Sequence, residues 1–326
     1  MITFALIGIG QWGKNFIATI KSIPDCELRY ICAKSSDTLN SFPSKYIKTK
    51  DYKELFKYKD IDGVIIATPG STHFEIASVF LKRGYNLLIE KPLTTSYQDA
   101  LKLQKIARIN SCVVMVGHIY LYNPAFIKIK QLINKIGKIQ YITFEGLSNG
   151  PVRQDISVLW DWGPHGISMV LDILQQDPLE ISAWAINKLR PETKLFDMVF
   201  INLEFPNKVS VFIKNNWISP IKKRELVIVA SKHTLVFDDL ENQKITYFAN
   251  FSPHKSVNKF INSELKISYP SYGNQAPLGL EILEFIKSIK NKKDSKTNLD
   301  QAVRVVKIMN LAERSIISGG HPIKFK

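Results

Sequence analysis

The chain of 326 residues predicts an α/β fold in two parts. Residues 1–120 predict a doubly wound parallel sheet. Residues 121–326 predict an α+β domain on a large, mostly antiparallel open sheet, with C-terminal helices packing back on the body. Three observations lead there. Short apolar runs alternate with helical segments through the first third. Beyond about residue 120 the strands lengthen and alternate in polarity. A glycine-rich turn directly follows the first apolar run.

"ITFALIGIG" is continuous and apolar, as in a strand buried on both faces. "QWGKNFIATIKSI" then places Trp12, Phe16, Ile17 and Ile20 at helical spacing. "CELRYICA", "DGVIIATP", "NLLIEKP" and "CVVMVGH" read as further strands. Between them "YKELFKY" and "THFEIASVFLKRG" read as helices, the second closed by Gly84. "SYQDALKLQKIARIN" is a third helix, with Ser96 as its N-cap. In the second part, "YNPAFIKIKQLINKIG" is a helix, and a series of strands from "KIQYITFEG" to "KITYFA" follows. A helix beginning near Pro164 interrupts them, and two amphipathic helices close the chain.

Hydrophobic residues at 45% and charged residues at 22% match a globular chain and exclude intrinsic disorder. No stretch approaches a membrane span, and the N-terminus lacks the basic region of a signal peptide, so no membrane partner is expected. Cys26, Cys32 and Cys112 sit in apolar, strand-like contexts, which fits reduced thiols in a cytoplasmic protein. The formal charge of +15 raises nucleic-acid binding. The lysines are spread along the chain, and the one dense run, "KSIKNKKDSK", holds no aromatic residue, so no specific nucleic acid is expected. No metal site is expected either.

"GIGQWG" gives Gly8, Gly10 and Gly13 the G-x-G-x-x-G spacing, after a strand and at the start of a helix. That context defines a Rossmann dinucleotide turn. Gly8 makes the tight bend, Gly10 admits a pyrophosphate, and Gly13 lets the helix pack on the strand, with Gln11 and Trp12 as further cofactor-binding candidates. After the second strand, where an acid would bind the ribose hydroxyls, stand Ala33, Lys34, Ser35 and Ser36. The missing carboxylate and the cation of Lys34 tilt the expected cofactor, NAD(P), toward NADP. The alternative leaves the ribose to Asp37.

"IEKP" ends a buried strand on the edge that faces the ligand crevice, with Glu90, Lys91 and Pro92. Lys91 there either reaches a substrate hydroxyl or pairs with Glu90. "ATPGSTH" places Thr68, Pro69 and His73 at the neighbouring strand end, where they join Glu90 and Lys91 as cofactor-binding candidates, His73 as a cap or packing residue rather than a catalyst. In "LWDWGPHG", Asp161 and His165 are proton-handling residue types four apart. Pro164 predicts the first helical position, so His165 is expected in a first turn, where the helix dipole disfavours imidazolium.

"GIGQWG", "ATPGSTH", "EKPLTTS", "VGHIYLYNPA" and "WDWGPHGISMVLDIL", in this order, resemble the glucose–fructose oxidoreductase and inositol dehydrogenase family (Gfo/Idh/MocA) across essentially the whole chain. The resemblance implies hydride transfer between nicotinamide and a secondary alcohol or ketone of a sugar or cyclitol. It implies an oligomer formed through the open sheet. It makes Lys91 the residue that polarises the reacting hydroxyl, His165 the general acid/base, and Asp161 its supporting acid. His118, Tyr122 and Asn123 fall at positions that line the domain junction in the family and are substrate-side candidates. Gly166 departs from the family, in which an acid often follows the histidine.

"GPVRQDISVLWDWGPH" and "NNWISPIKKRELVIVAS" resemble members acting on nucleotide-linked sugars in surface-polysaccharide or antibiotic-sugar pathways. Arg153 and the Lys222–Arg224 group are candidates for a diphosphate, and Trp162 for the pocket wall. Free sugars or inositols remain alternatives within the family. A catalytically inactive sensor of NADP(H) is the alternative of another class.

Overall fold

The computed structural model describes residues 1–193, 195–249 and 266–326, which divide into two compact units. One comprises residues 1–119 and 275–306, the other 120–274 and 307–326.

The first unit opens with β1 (Ile2–Ile7), α1 (Gln11–Ile20), β2 (Cys26–Cys32), α2 (Ser36–Asn40) and β3 (Ile47–Thr49). It continues through β4 (Gly63–Ile66), α3 (His73–Leu81), β5 (Asn86–Ile89), α4 (Tyr97–Ile109) and β6 (Val114–Val116). All six strands run parallel in the order β3-β2-β1-β4-β5-β6. The order reverses beside β1, which opens a crevice beyond the carboxyl ends of β1 and β4. β1 and β4 are wholly buried, as their unbroken apolar sequence requires. β3, three residues long, is too short to carry a periodic signal and was not read from the sequence.

The second unit contains α5 (Pro124–Leu132), β7 (Ile139–Asn149), α6 (Val158–Leu174), β8 (Glu180–Ile186), β9 (Met198–Phe205), β10 (Val209–Asn216) and β11 (Ile218–Ala230). β12 (Thr234–Asp238), β13 (Ile245–Ala249) and β14 (Lys266–Ser268) extend the sheet. Among the described residues, α7 (Pro277–Asn291), α8 (Leu299–Ile317) and β15 (Ile323–Lys324) complete the chain. The nine strands run β14-β13-β12-β11-β7-β10-β9-β8-β15, antiparallel throughout except for β7 with β10. α6 covers one face, against β7, β9 and β10. On the other face, Trp184, Phe200, Phe212 and Tyr141 are 51%, 39%, 49% and 39% exposed.

The tail differs from the sequence boundary at 120/121. α7 belongs to the first unit, where Phe285 stacks on Phe4 of β1 with ring centroids 5.7 Å apart. Gly63 of β4 lies beneath, where a Cβ would come within 2.9 Å of Phe4 and 3.1 Å of Phe285. The apolar stripe of α7 announces a buried face, not the sheet that buries it. Among the described residues no helix is long and apolar enough to cross a membrane.

Candidate active site

The glycine turn of the first unit has the geometry its spacing predicts. Gly8 follows β1 at φ +95°, and a Cβ on it would stand 2.6 Å from Ala67 O at the end of β4. On Gly13 a Cβ would fall 2.2 Å from Gly8 O, so only glycine lets α1 approach this closely. Gly10, the N-cap of α1, is exposed, and its Cβ position has no atom within 4 Å. The first turn of α1 carries no acidic residue to repel a phosphate. A dinucleotide fits these residues, because the backbone is bare where a pyrophosphate must approach. Gln11 is exposed and Trp12 half-buried in the same turn.

At the end of β2, Lys34 is exposed, and Ser35 Oγ accepts the Thr38 N–H at 3.3 Å as the N-cap of α2. The structure therefore gives Ser35 a capping part and leaves Lys34 as the accessible cation there.

Glu90 and Lys91 leave β5 beside this crevice, and the Lys91–Pro92 peptide is cis. Glu90 Oε2 accepts the Lys91 N–H at 3.2 Å. His73 is fully buried, with Nδ1 2.8 Å from Pro92 O and Nε2 2.9 Å from Thr68 O. It ties the loop after β4, with Thr68 and Pro69, to the loop after β5. His73 thus packs rather than reacts. His118 is 1% exposed, and its Nδ1–H donates to Gln301 Oε1 at 2.6 Å. Burial, reinforced by the Lys91 ammonium against the favourable Gln301 bond, lowers its pKa to about 4.

In the second unit the helix carrying Asp161 and His165 starts earlier than the sequence implies. α6 has its N-cap at Ser157, and Pro164 lies inside it. His165 is therefore in the third turn, and the first-turn dipole argument does not apply to it. Proline within a helix removes a donor and costs about 3 kcal/mol. Tertiary contacts offset that cost: Leu159, Trp160, Ile167, Met169 and Val170 are all at most 4% exposed. With its amide oriented to satisfy both ends, Asn215 accepts the Gly163 N–H at 3.2 Å and donates to Lys214 O at 3.2 Å.

The four-residue spacing still puts Asp161 and His165 on one helix face. Asp161 is half-buried and lies 3.6 Å from Arg153 Nη1. Arg153 is bound bidentately by Asp155 at 2.8 and 3.0 Å, so its guanidinium is committed to carboxylates rather than free for a diphosphate. His165 is 7% exposed, between the Tyr120 ring at 5.0 Å and the Trp162 ring at 5.5 Å, both edge-on. Gly166 meets Phe144: a Cβ there would stand 2.6 Å from that ring, so the acid found in many relatives has no room. Gly146 admits the Trp162 ring, 2.8 Å from its Cβ position.

The two tryptophans separate in role. Trp160 is 4% exposed and donates from Nε1 to Glu313 at 3.3 Å, so it anchors the helix. Trp162 lies under the Arg224 guanidinium, 5.3 Å from the ring centroid. Tyr122 is 3% exposed, and Asn123 uses both ends of its amide, on Ala125 N at 3.0 Å and Asp239 Oδ1 at 3.1 Å. Asn123 is thus a helix cap, not an open substrate contact. Sequence reasoning missed Tyr120 and Asp239. Tyr120 lies within "VGHIYLYNPA" but was not singled out there, and only the fold brings its ring against His165 and the Asp239 carboxylate onto Arg224.

The profile of an oxidoreductase family with an NAD-binding Rossmann fold matches residues 2–118. The profile of the GFO/IDH/MocA C-terminal domain matches residues 126–236. Among curated relatives, the scyllo-inositol 2-dehydrogenase (NADP(+)) IolU of Bacillus subtilis (strain 168) is 27% identical over 146 residues, 44% of each chain. The UDP-N-acetylglucosamine 3-dehydrogenase of Acidithiobacillus ferrooxidans is 33% identical over 125 residues, 38% of this chain and 39% of the relative. The chain thus spans less than half the length of these two relatives. A solved structure from Magnetospirillum magnetotacticum MS-1, described only as an oxidoreductase, superposes with a TM-score of 0.85 at 29% identity. That match covers 95% of this chain and 99% of the other.

Proposed function

The chain belongs to the GFO/IDH/MocA oxidoreductase family, and on that premise we propose that it interconverts a secondary alcohol and a ketone on a sugar, using NAD(P). The observation that carries the reading is the glycine turn, where Gly10 alone of the three leaves open space at its Cβ position. Gly8, Gly10 and Gly13 would hold the pyrophosphate against the N-terminus of α1. Bound nicotinamide supplies the two-electron acceptor or donor.

The chain's own residues manage the proton and the charge. Lys91 Nζ donates to the reacting oxygen and lowers the cost of alkoxide character. His165 takes the hydroxyl proton on its imidazole. Asp161, one helical turn away, offsets the charge that His165 gains, and Arg153 holds Asp161 in place.

The substrate we propose is a nucleotide-linked sugar in surface-polysaccharide synthesis, which the UDP-N-acetylglucosamine 3-dehydrogenase relative supports. The IolU relative favours a second reading, a free cyclitol. NADP is the cofactor favoured by Ala33 and the exposed Lys34. The proposal includes a homo-oligomer through the open sheet face, supported by exposed Trp184, Phe200 and Phe212. It also includes a cytoplasmic location, which fits thiols that burial pushes up to about 11 in Cys26 and Cys112 and about 12 in Cys32.

The test is a screen of nucleotide sugars and inositols with NAD and NADP, following absorbance of the reduced nicotinamide. Lys91→Ala and His165→Ala should each abolish turnover on the substrate found. Full activity in either variant removes that residue from the mechanism. Tight cofactor binding with no turnover on any alcohol favours an NADP(H) sensor. Light scattering during gel filtration tests the oligomer, and a monomer at micromolar concentration overturns it.

A further inference from the structure

Asp239 follows β12 and is held from several sides. Asn123 Nδ2 donates to its Oδ1 at 3.1 Å, and Lys244 Nζ donates to the same oxygen at 2.9 Å. Arg224 Nη1 lies 3.8 Å from Oδ2, and the Asp239 N–H donates to Arg224 O at 3.0 Å. The Tyr120 hydroxyl lies close enough to Asp239 and Arg224 to feel the charge of both. One carboxylate therefore gathers two cations and an amide, with a phenol nearby, from β11, the turn before β13 and the chain before α5.

Two of those partners lead to the same ring. Tyr120 meets the His165 imidazole edge-on at 5.0 Å, at an interplanar angle of 77°. Arg224 covers the Trp162 ring, which meets the imidazole from its own helix at 5.5 Å and 68°. Gly146 leaves the room that Trp162 occupies. Removing the Asp239 charge would loosen the Arg224 guanidinium and alter the surroundings of the Tyr120 hydroxyl together.

We infer that Asp239 is a positioning residue for His165, fixing through Tyr120 and Arg224 the two rings that bracket the imidazole. The inference rests on the reading of His165 as the general acid/base, since only then does the bracket serve a reaction. A proton-transfer group must stay within fractions of an ångström of its target, and misplacement by about 1 Å costs roughly a hundred-fold in rate. Aromatic edges on both sides restrict the ring more than a single hydrogen bond would, because they oppose rotation about both side-chain torsions. The charged groups linked to these elements form two sets of ion pairs, Asp161 with Arg153 and Asp239 with Arg224 and Lys244.

The test compares Asp239→Asn and Tyr120→Phe with the full-length wild-type protein. On the substrate identified by the screen, each should lose on the order of ten-fold in kcat with KM little changed. The double variant should lose less than the product of the two, because both act through one bracket. An independent readout is acrylamide quenching of Trp162, measured as the difference from the same variant carrying Trp162→Phe. Asp239→Asn should increase that quenching, and Arg224→Lys, which keeps the cation, should restore most of the protection relative to Arg224→Met. Wild-type kcat and unchanged quenching in Asp239→Asn overturn the inference. If His165→Ala keeps full turnover, the acid/base reading fails instead, and the quenching still decides whether the bracket exists. Should Asp239→Asn fail to fold, Tyr120→Phe, which removes one oxygen, carries the same comparison.

Discussion

Arg153 clasps Asp155 with two hydrogen bonds and still reaches Asp161 across 3.6 Å, so the acid one turn before His165 shares a cation with a neighbouring loop. Arg190 Nη1 donates to Arg153 O at 2.7 Å and steadies that loop. The arrangement separates two roles for Arg153. If it supports Asp161, Arg153→Ala lowers kcat on the order of ten-fold and leaves KM nearly unchanged. If it binds a diphosphate, KM rises and kcat persists. We expect the first pattern in steady-state kinetics.

The three glycines of the turn should respond differently to alanine. Gly13→Ala drives a Cβ against the Gly8 carbonyl and should destabilise by about 1–3 kcal/mol, several degrees in Tm. Gly10→Ala meets open space and should leave Tm within about a degree while weakening cofactor affinity, read by fluorescence titration with NADPH. Equal losses of stability in both would contradict the division of labour among them.

His118 should make the protein acid-sensitive. Its folded pKa of about 4 lies below the ordinary 6.5, so its contribution is complete above 6.5 and is lost as pH falls toward 4. The full loss amounts to about 3 kcal/mol. His118→Gln should flatten the Tm-versus-pH curve between pH 6.5 and 4, as thermal melts across that range would show.

Glu281 of α7 gives the opposite sign. It is 1% exposed, and neither carboxyl oxygen meets a hydrogen-bond donor among the described residues. Burial, aided by the Glu90 charge and opposed by Lys296, raises its pKa well above the ordinary 4.5. Stability is then greatest below that ordinary value and declines as pH rises through the raised folded-state pKa. Glu281→Gln, which mimics the protonated acid, should melt higher than the wild type at pH 8, the difference shrinking toward pH 5. A lower Tm for Glu281→Gln at pH 8 would show that the charged form is the stabilising one.

Much of the first unit was legible because its signals are local. A buried parallel strand is a short apolar run, and the glycine turn is a backbone demand concentrated in six residues, so Gly8, Gly10, Gly13 and Lys91 could be placed from the sequence. The start of α6 was misread for a local reason too. Proline favours a first helical position, and nothing near Pro164 announces that remote packing would hold it in a helix interior. Arg153 looked like a diphosphate ligand because its acidic partners, Asp155 and Asp161, are only brought onto it by the fold.

The sequence alone determined the parallel sheet with its dinucleotide turn, the mostly antiparallel second sheet and the Asp161–His165 pair on one helix face. Each rests on residues within a turn or a strand of one another, where periodicity and backbone sterics act directly. The tertiary structure decided that α7 joins the first unit, that Asn123 and Arg153 are tied up by carboxylates, that Tyr120 meets His165, and that Arg224 covers Trp162 while pairing with Asp239. Those partners lie from two to more than two hundred residues apart in the chain, and only burial of their shared surfaces selects which of many chemically equivalent pairings forms.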